Sequence, residues 1–263
     1  MNINVFVIGD IVGKPGRLIL KDKLKPYIDS ENIHFCIANA ENAAAGAGIT
    51  EEIAEELLSY GIDVITTGDH VWDKKEIFHT LETNKSVLRP NNYSPLAIGK
   101  GYVVKRSKTD APVGVINLLG RVFMKPIDCP FRSVDEALKN ISKETNIIFV
   151  DIHAEATSEK IAMGWYLDGK VSAVVGTHTH IPTADEKILP KGTAYITDLG
   201  MTGPHESILG RKIDCVLKAI VTQMPTKFEV AEKDVRINGV KIVVDSQSGK
   251  ANSIKRVEIK EHD

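Results

Sequence analysis

The sequence predicts a mixed α/β fold with a parallel core. Short apolar, β-branched runs alternate with helix-period segments through the first part of the chain, the order that builds βαβ units. The tail instead alternates apolar and polar residues, as antiparallel hairpins do. Several of the apolar runs end in carboxylates or imidazoles, and open α/β sheets collect their ligands beyond the carboxyl ends of strands.

In chain order, Ile3 to Gly9 is a short β-branched run that fits a buried strand. The loop Gly9 to Gly16 follows. Its glycines match neither G-x-G-x-x-G nor G-x-x-x-x-G-K-[ST], which excludes the dinucleotide fingerprint and the P-loop. Arg17 to Ile28 is an amphipathic helix that Pro26 should distort or end. Ile33 to Ala38 is a second strand, leading into Asn39-Ala40-Glu41-Asn42. Thr50 caps the next helix, with Glu51 and Glu52 in its first turn and Gly61 at its end. Ile62 to Thr67 is a third strand and runs into Gly68-Asp69-His70. Asp73 with Glu76 has the spacing of a capping box for a helix through about Thr83.

The middle of the chain is less regular. Tyr102 to Lys105 and Val113 to Leu118 pair as antiparallel strands, and Gly120 to Phe131, with Pro126 and Pro130, is a loop. Ser133 and Glu136 form a second capping box before a short helix. Asn146 to Ile152 is a strand ending in His153, and Ser158 to Leu167 is helical. Val171 to Val175 is a buried strand that ends in Gly176-Thr177-His178-Thr179-His180. Thr193 to Thr197 is a further strand, ending at Asp198 to Gly203, and Lys212 to Thr222 is helical. The β-alternating stretches of the tail are Lys227 to Val230, Val235 to Val244 and Ser253 to Ile259, with turns at Asn238-Gly239 and Ser248-Gly249. With no internal repeat, low-complexity linker or composition break, residues 1–263 are expected to form a single domain.

Composition narrows the function classes. At 263 residues and 43% hydrophobic content the chain can bury a substantial core. A formal net charge of -2 gives no bulk attraction for nucleic acid, so no stable nucleic-acid partner is expected. No apolar run approaches the ~20 residues of a membrane span, and the start lacks a signal-peptide pattern. Cys36, Cys129 and Cys215 are odd in number and widely spaced, which argues against disulfides and for the cytoplasm. No flanking group activates Cys129 as a nucleophile.

Asp10, Glu41, Asp69, His153 and the pair His178 and His180 sit at five predicted strand ends. Histidines spaced i, i+2 on a strand project to one side and can serve adjacent ions or share one. Taken singly each residue has an ordinary role, Asp10 or Asp69 as a helix cap and His153 as a satisfied strand-end imidazole. Their recurrence at successive strand ends is what carries the metal reading. Three carboxylates, an amide at Asn42 and several imidazoles suit Mn²⁺, Fe or Zn²⁺. They exceed one zinc's needs, and two ions about 3.5–4 Å apart, sharing a carboxylate and a hydroxide, would use them all.

Gly9-Asp10, Glu41-Asn42, Gly68-Asp69-His70, His153 and Gly176 to His180 resemble the ordered signature of calcineurin-like metallophosphoesterases. The longer strings GDIVGKPG, ANAENAAAGAGIT, TTGDHVWD, DIHAEATSEK, GTHTHIPTAD and YITDLGMTG resemble a narrower group, the bacterial cyclic-nucleotide phosphodiesterases of that superfamily. The resemblance runs from Asn2 to about Gly210 and implies a two-sheet αββα sandwich. It implies that Asp10 and His180 hold one metal, that Glu41 bridges, and that Asn42 is a ligand or lies just behind the ligands. Asp69, His153 and His178 would hold the second metal, with His70 beside the phosphate as the catalytic acid or charge stabiliser. The implied cofactors are two divalent or mixed-valence ions, Fe or Mn ahead of Zn. The implied substrate is a small cyclic nucleotide, 2′,3′-cyclic ahead of 3′,5′-cAMP, opened by attack of a metal-activated hydroxide.

One departure stands out. The family usually carries Asn in the G-N-H triplet where this chain has Asp69. Two divalent ions with Asp10, Glu41 and a hydroxide sum to about +1, and an ionised Asp69 brings that to about zero. Tighter metal binding, a less acidic bridging water and weaker attraction for an anionic diester are expected.

Gly46 and Gly48, just before the helix capped at Thr50, are candidate anion contacts through backbone N–H groups, and His205 is a candidate substrate contact. Trp72 and Trp165 are candidate base-stacking rings, with core packing the ordinary alternative. Glu155, Thr157, Thr177 and Thr179 are candidates for orienting the histidines. His34, His79 and His262 lack a ligand-like context. Competing readings are a phosphomonoesterase, a dinuclear amidase or deacetylase, and a low-turnover regulatory protein that binds nucleotide or metal. A homo-oligomer is compatible with the sequence.

Overall fold

The computed structural model describes residues 1–261, so His262 lies outside the described residues. The elements in order are β1 (Asn2–Ile8), β2 (Asp10–Ile11), α1 (Gly13–Ser30), β3 (Phe35–Asn39), α2 (Glu51–Ser59), β4 (Val64–Thr66) and α3 (Ile77–Thr83). Then come β5 (Tyr102–Arg106), β6 (Pro112–Leu119), α4 (Pro130–Ile141), β7 (Ile148–His153), α5 (Thr157–Leu167), β8 (Ala173–Thr177), β9 (Lys187–Ile188) and β10 (Ala194–Ile196). The chain finishes with β11 (Met201–Pro204), α6 (Ile213–Thr222), β12 (Val235–Asp245) and β13 (Ala251–Lys260).

Among the described residues these strands form two sheets. One has seven strands in the order β2-β11-β12-β1-β3-β4, with β13 on β12. The other has six, in the order β5-β6-β7-β8-β10-β9. β1, β3 and β4 run parallel, as do β6, β7, β8 and β10. Val5, Val7, Phe35 and Ile37 of the first sheet pack against Val115, Phe149, Val175 and Ile196 of the second. The outer face of the first sheet is covered by α1 and α2 through Leu20, Leu24 and Leu57. That of the second is covered by α4 and α5 through Val134, Ile141 and Met163. This is the αββα sandwich, and burial on both faces explains why its central strands are apolar without alternation.

Local differences from the sequence expectations have local causes. α1 begins at Gly13 rather than Arg17, because Pro15 in a first turn gives up only an N–H that has no helical partner. Pro26 does not end the helix, which continues to Ser30. Pro130 starts α4 at its first position, and Ser133 makes no cap. α3 starts only at Ile77, with no side-chain cap from Glu76, and Asp73 is committed elsewhere. Asn238-Gly239 is not a turn. Both lie inside β12, where Gly239 faces Ile8 and a Cβ on it would run into the Val7 carbonyl. Lys227 to Val230 forms only a bridge between Val230 and Arg211. The Thr50 cap holds, its Oγ1 accepting the Ile53 N–H at 3.3 Å.

Candidate metal centre

The parallel strands of both sheets finish at the same end of the sandwich, and there the chain lays out its carboxylates and imidazoles. Asp10 follows β1, Glu41 and Asn42 follow β3, Asp69 and His70 follow β4, and His153 closes β7. The H-x-H segment reaches the site differently from the pleat expected of it. β8 stops at Thr177, and His178 (φ 99°) and His180 (φ 65°) adopt left-handed backbone. Non-glycine residues in that region cost on the order of 1–3 kcal/mol and persist only where neighbours fix them. Asp10 accepts the His178 N–H at 3.0 Å. Asp198 accepts the Thr179 N–H at 3.1 Å and its hydroxyl at 2.7 Å. Asp198 is in turn paired with Lys160 at 2.6 Å, both fully buried. The two turns split the histidines between two groups of partners.

His178 turns to the side of Glu41, Asp69 and His153. One ligand atom from each of these four lies within 4.8 Å of all the others. His153 Nε2 is 2.9 Å from Glu41 Oε1, 3.0 Å from His178 Nδ1 and 3.6 Å from Asp69 Oδ1. His180 turns to the other side. Its Nε2 is 3.2 Å from the Asn42 amide nitrogen and 3.8 Å from Asp10 Oδ1. Asn42 donates to Glu41 Oε1 at 3.2 Å, so Glu41 stands between the two groups. Gly68 is the wall of the cluster, where a Cβ would collide with Glu41 Oε2 and His153 Nε2.

Two buried oxygens, Asp10 Oδ1 and Asp69 Oδ1, have no hydrogen-bond partner among the described residues. Buried carboxylate oxygens without a donor are costly, and their lone pairs face the imidazoles. Carboxylates, imidazoles and an amide set around such oxygens suit divalent cations. Titration agrees. Burial pushes Asp10 up to about 6, against the pull of His180 and His153. Burial opposes charge on His153, but Glu41, Asp69 and Asp10 outweigh it and hold its pKa well above the usual imidazole value. Glu41 and Asp69 are held below the usual carboxylate range despite burial, chiefly by His153. Burial and the neighbouring His153 push His178 down to about 4. In the free protein a proton on His153 thus occupies the position that a cation would neutralise.

Behind the cluster lies a layer that the sequence reading largely missed. The Thr177 hydroxyl donates to Asp151 Oδ1 at 2.7 Å and meets His153 Nδ1 at 2.9 Å. A hydroxyl that gives its proton to a carboxylate accepts from the imidazole, which fixes Nδ1–H and leaves Nε2 free as a ligand. Thr66 and Asn39 donate to the other Asp151 oxygen at 2.5 and 3.1 Å. Glu155 lies 3.1 Å from His178 Nε2, which leaves Nδ1 facing the cluster. Asp151 stands two residues before His153 on β7, a spacing that puts both on one face, while Asn39 ends β3 and accepts the Glu41 N–H at 3.2 Å through its Oδ1.

The remaining candidates fall as follows. His70 donates its backbone N–H to Glu41 Oε2 at 3.2 Å, and its Nδ1 lies 2.8 Å from Asp73 Oδ2. The Gly46 N–H is taken by the Asn42 carbonyl, and Arg211 bonds the Ala45 and Gly46 carbonyls. The Gly46 N–H is therefore committed within the loop. Gly48 packs against Lys74 and Asp73. The His205 ring is held by the Met201 carbonyl at 3.3 Å and by Asn238 at 3.0 Å. Trp72 packs edge-on against Phe78 and Tyr93, while Trp165 is exposed on α5.

Comparison with known proteins bears on this geometry. A family model described as YmdB-like protein matches residues 6–257. A 2′,3′-cyclic-nucleotide 2′-phosphodiesterase of Bacillus subtilis strain 168 is 48% identical over 257 residues, covering 97% of this chain and 96% of the relative. A hypothetical protein from Thermus thermophilus superimposes with a TM-score of 0.91 at 37% identity, covering 98% of this chain and all (100%) of that one. A phosphatase from Mycoplasma pneumoniae gives 0.92 at 33% identity over 99% of this chain and 94% of that one.

Proposed function

The chain belongs to the YmdB-like protein family, and from that premise we propose that its site hydrolyses small cyclic nucleotides with the help of two metal ions. The observation that carries the reading is the convergence of buried Glu41 and His153 with half-buried Asp69 and His178, continued through Asn42 to His180 and Asp10. The relative from Bacillus subtilis bears the name of a 2′,3′-cyclic-nucleotide 2′-phosphodiesterase, and the substrate class proposed here follows it. Asp10, Asn42 and His180 would hold one ion, Asp69, His153 and His178 the other, and Glu41 both. Bound ions at such a site supply Lewis-acid activation of water and neutralise phosphoryl charge. Fe and Mn match the oxygen-rich donor set, with Zn the further option.

The chain's own contribution is positioning and proton transfer. Asp73 holds His70 through Nδ1, so Nε2 is the nitrogen free to act. As water adds to phosphorus, the cyclic ester opens at its 2′ oxygen. His70 Nε2 gives that oxygen its proton, leaving a 2′ hydroxyl and a 3′ phosphomonoester. The Glu41 carboxylate fixes the His70 backbone, coupling the proton donor to the cluster. Such a site reads the phosphate more closely than the base, so 3′,5′-cAMP is a secondary substrate.

No described helix is long and apolar enough to cross a membrane, and the three cysteines are free. We place the protein in the reducing cytoplasm on the ground of those free thiols.

The test is hydrolysis of 2′,3′-cAMP with Mn²⁺, against a chelated control and His70→Ala. Turnover should need the metal and fall about 10²- to 10⁴-fold in the variant. Two bound ions without turnover would favour a regulatory protein instead.

A further inference from the structure

The loop that leaves β6 begins directly beside the cluster. Leu119 is in register with His153, and the Gly120 N–H donates to the His153 carbonyl at 2.9 Å. Gly120 lies so close that a Cβ would stand 2.5 Å from Ala154 Cβ and 2.6 Å from Glu159 Oε2. The next residues are held from underneath. Glu159, only 6% exposed, accepts the Arg121 N–H at 3.1 Å and the Val122 N–H at 3.2 Å. Bonds from amides to a carboxylate are stronger than neutral ones, so Glu159 clamps this pair of residues. One residue beyond Phe123, Met124 packs onto the outer core of the second sheet.

Between these two anchors stands Phe123. It is 89% exposed, has left-handed backbone (φ 63°), and meets no other ring among the described residues. A bulky aromatic residue in that region is a backbone outlier that the anchors must maintain. Folding gains little from the ring itself. Three residues of chain span at most about 10 Å, so Phe123 is tethered within that reach of Gly120, at the strand end where His153 meets the cluster. Trp72, by contrast, is occupied by Phe78 and Tyr93.

We propose that Phe123 is the base platform of the site, stacking on the nucleobase of the cyclic nucleotide whose phosphate lies at the cluster. This rests on the phosphodiesterase reading and adds what that reading lacks, a group that distinguishes a nucleotide from a bare diester. Stacking on one exposed ring is tolerant of base identity, so purines rank above pyrimidines by ring area while every base is accepted.

The experiment compares 2′,3′-cAMP with the 2′,3′-cyclic phosphate of methyl riboside, which has no base. Wild type, Phe123→Gly and Phe123→Trp are assayed with Mn²⁺. Glycine suits the left-handed backbone, so loss of the ring is separated from loss of fold. The ratio of kcat/KM for the nucleotide over the base-free diester should fall about tenfold in Phe123→Gly, through KM, and recover in Phe123→Trp. An unchanged ratio overturns the platform. If wild type turns over neither diester, the phosphodiesterase reading fails separately. Calorimetric binding of adenosine 3′-monophosphate to the Mn²⁺-loaded protein then decides: weaker binding by Phe123→Gly supports the platform, and equal binding overturns it.

Discussion

Asp69 keeps its negative charge in the free protein although it is largely buried, because His153, His70 and His178 surround it. It therefore adds a full negative charge to the cluster. Asp69→Asn should weaken Mn²⁺ binding by about tenfold or more, as ligand charge sets affinity at oxygen-rich sites, and should strengthen binding of an anionic diester. Calorimetry checks both, and unchanged affinities would remove the charge argument. A second consequence concerns protons. Burial raises Asp10 to about 6 and the surrounding carboxylates hold His153 well above the usual imidazole value, so binding a cation near neutral pH expels a proton chiefly from His153, and below about 6 from Asp10 as well. The sign follows: affinity rises with pH, and below about 6 it falls roughly tenfold per pH unit for each proton displaced. Heats of binding measured in buffers of different ionisation enthalpy would show net proton release near neutral pH. At this scale the convergence of Glu41, Asp69, His153 and His178 was legible, since each stands at or just after a strand end in the sequence itself. Asp151, Asn39, Lys160 and Asp198 were not, because their roles arise only when β3, β7, β8 and the segment after β10 come into register.

The elements show where local patterns compete with tertiary contacts. The spacing of Asp73 and Glu76 has the form of a capping box, yet Asp73 is drawn to His70 and the helix starts later. Asn238-Gly239 has the form of a hairpin turn, yet the edge of β1 recruits it into a long strand where only glycine clears Val7. The turn after β8 is the element on which the site depends. Its two left-handed histidines are held through Thr179 by Asp198, whose partner Lys160 comes from α5. Lys160→Met leaves a buried carboxylate without its cation and should cost about 3–5 kcal/mol of stability, read by denaturant unfolding. A site role predicts more than that. In protein that remains folded, Mn²⁺ affinity should fall as well, because His178 and His180 lose their fixed backbone. Normal affinity in the folded variant would confine the pair to stability.

On the scale of the molecule, the two parallel sets of strands deliver their ends to one rim of the sandwich. That convergence is why side chains more than a hundred residues apart in the chain, such as Glu41 and His153, stand 2.9 Å from one another. Mixed α/β order and the returning tail were legible as periodicity. The pairing of the tail with β1, and the short strands β2, β9 and β11, were not, since runs of two to four residues carry no period of their own. The whole arrangement makes sense if Glu41 is shared between two ions. Anomalous diffraction from crystals soaked in Mn²⁺ tests this most directly. The account predicts two peaks per chain, one among Asp69, His153 and His178, the other among Asp10, Asn42 and His180, with Glu41 touching both. A single peak, or two that do not share Glu41, would contradict it.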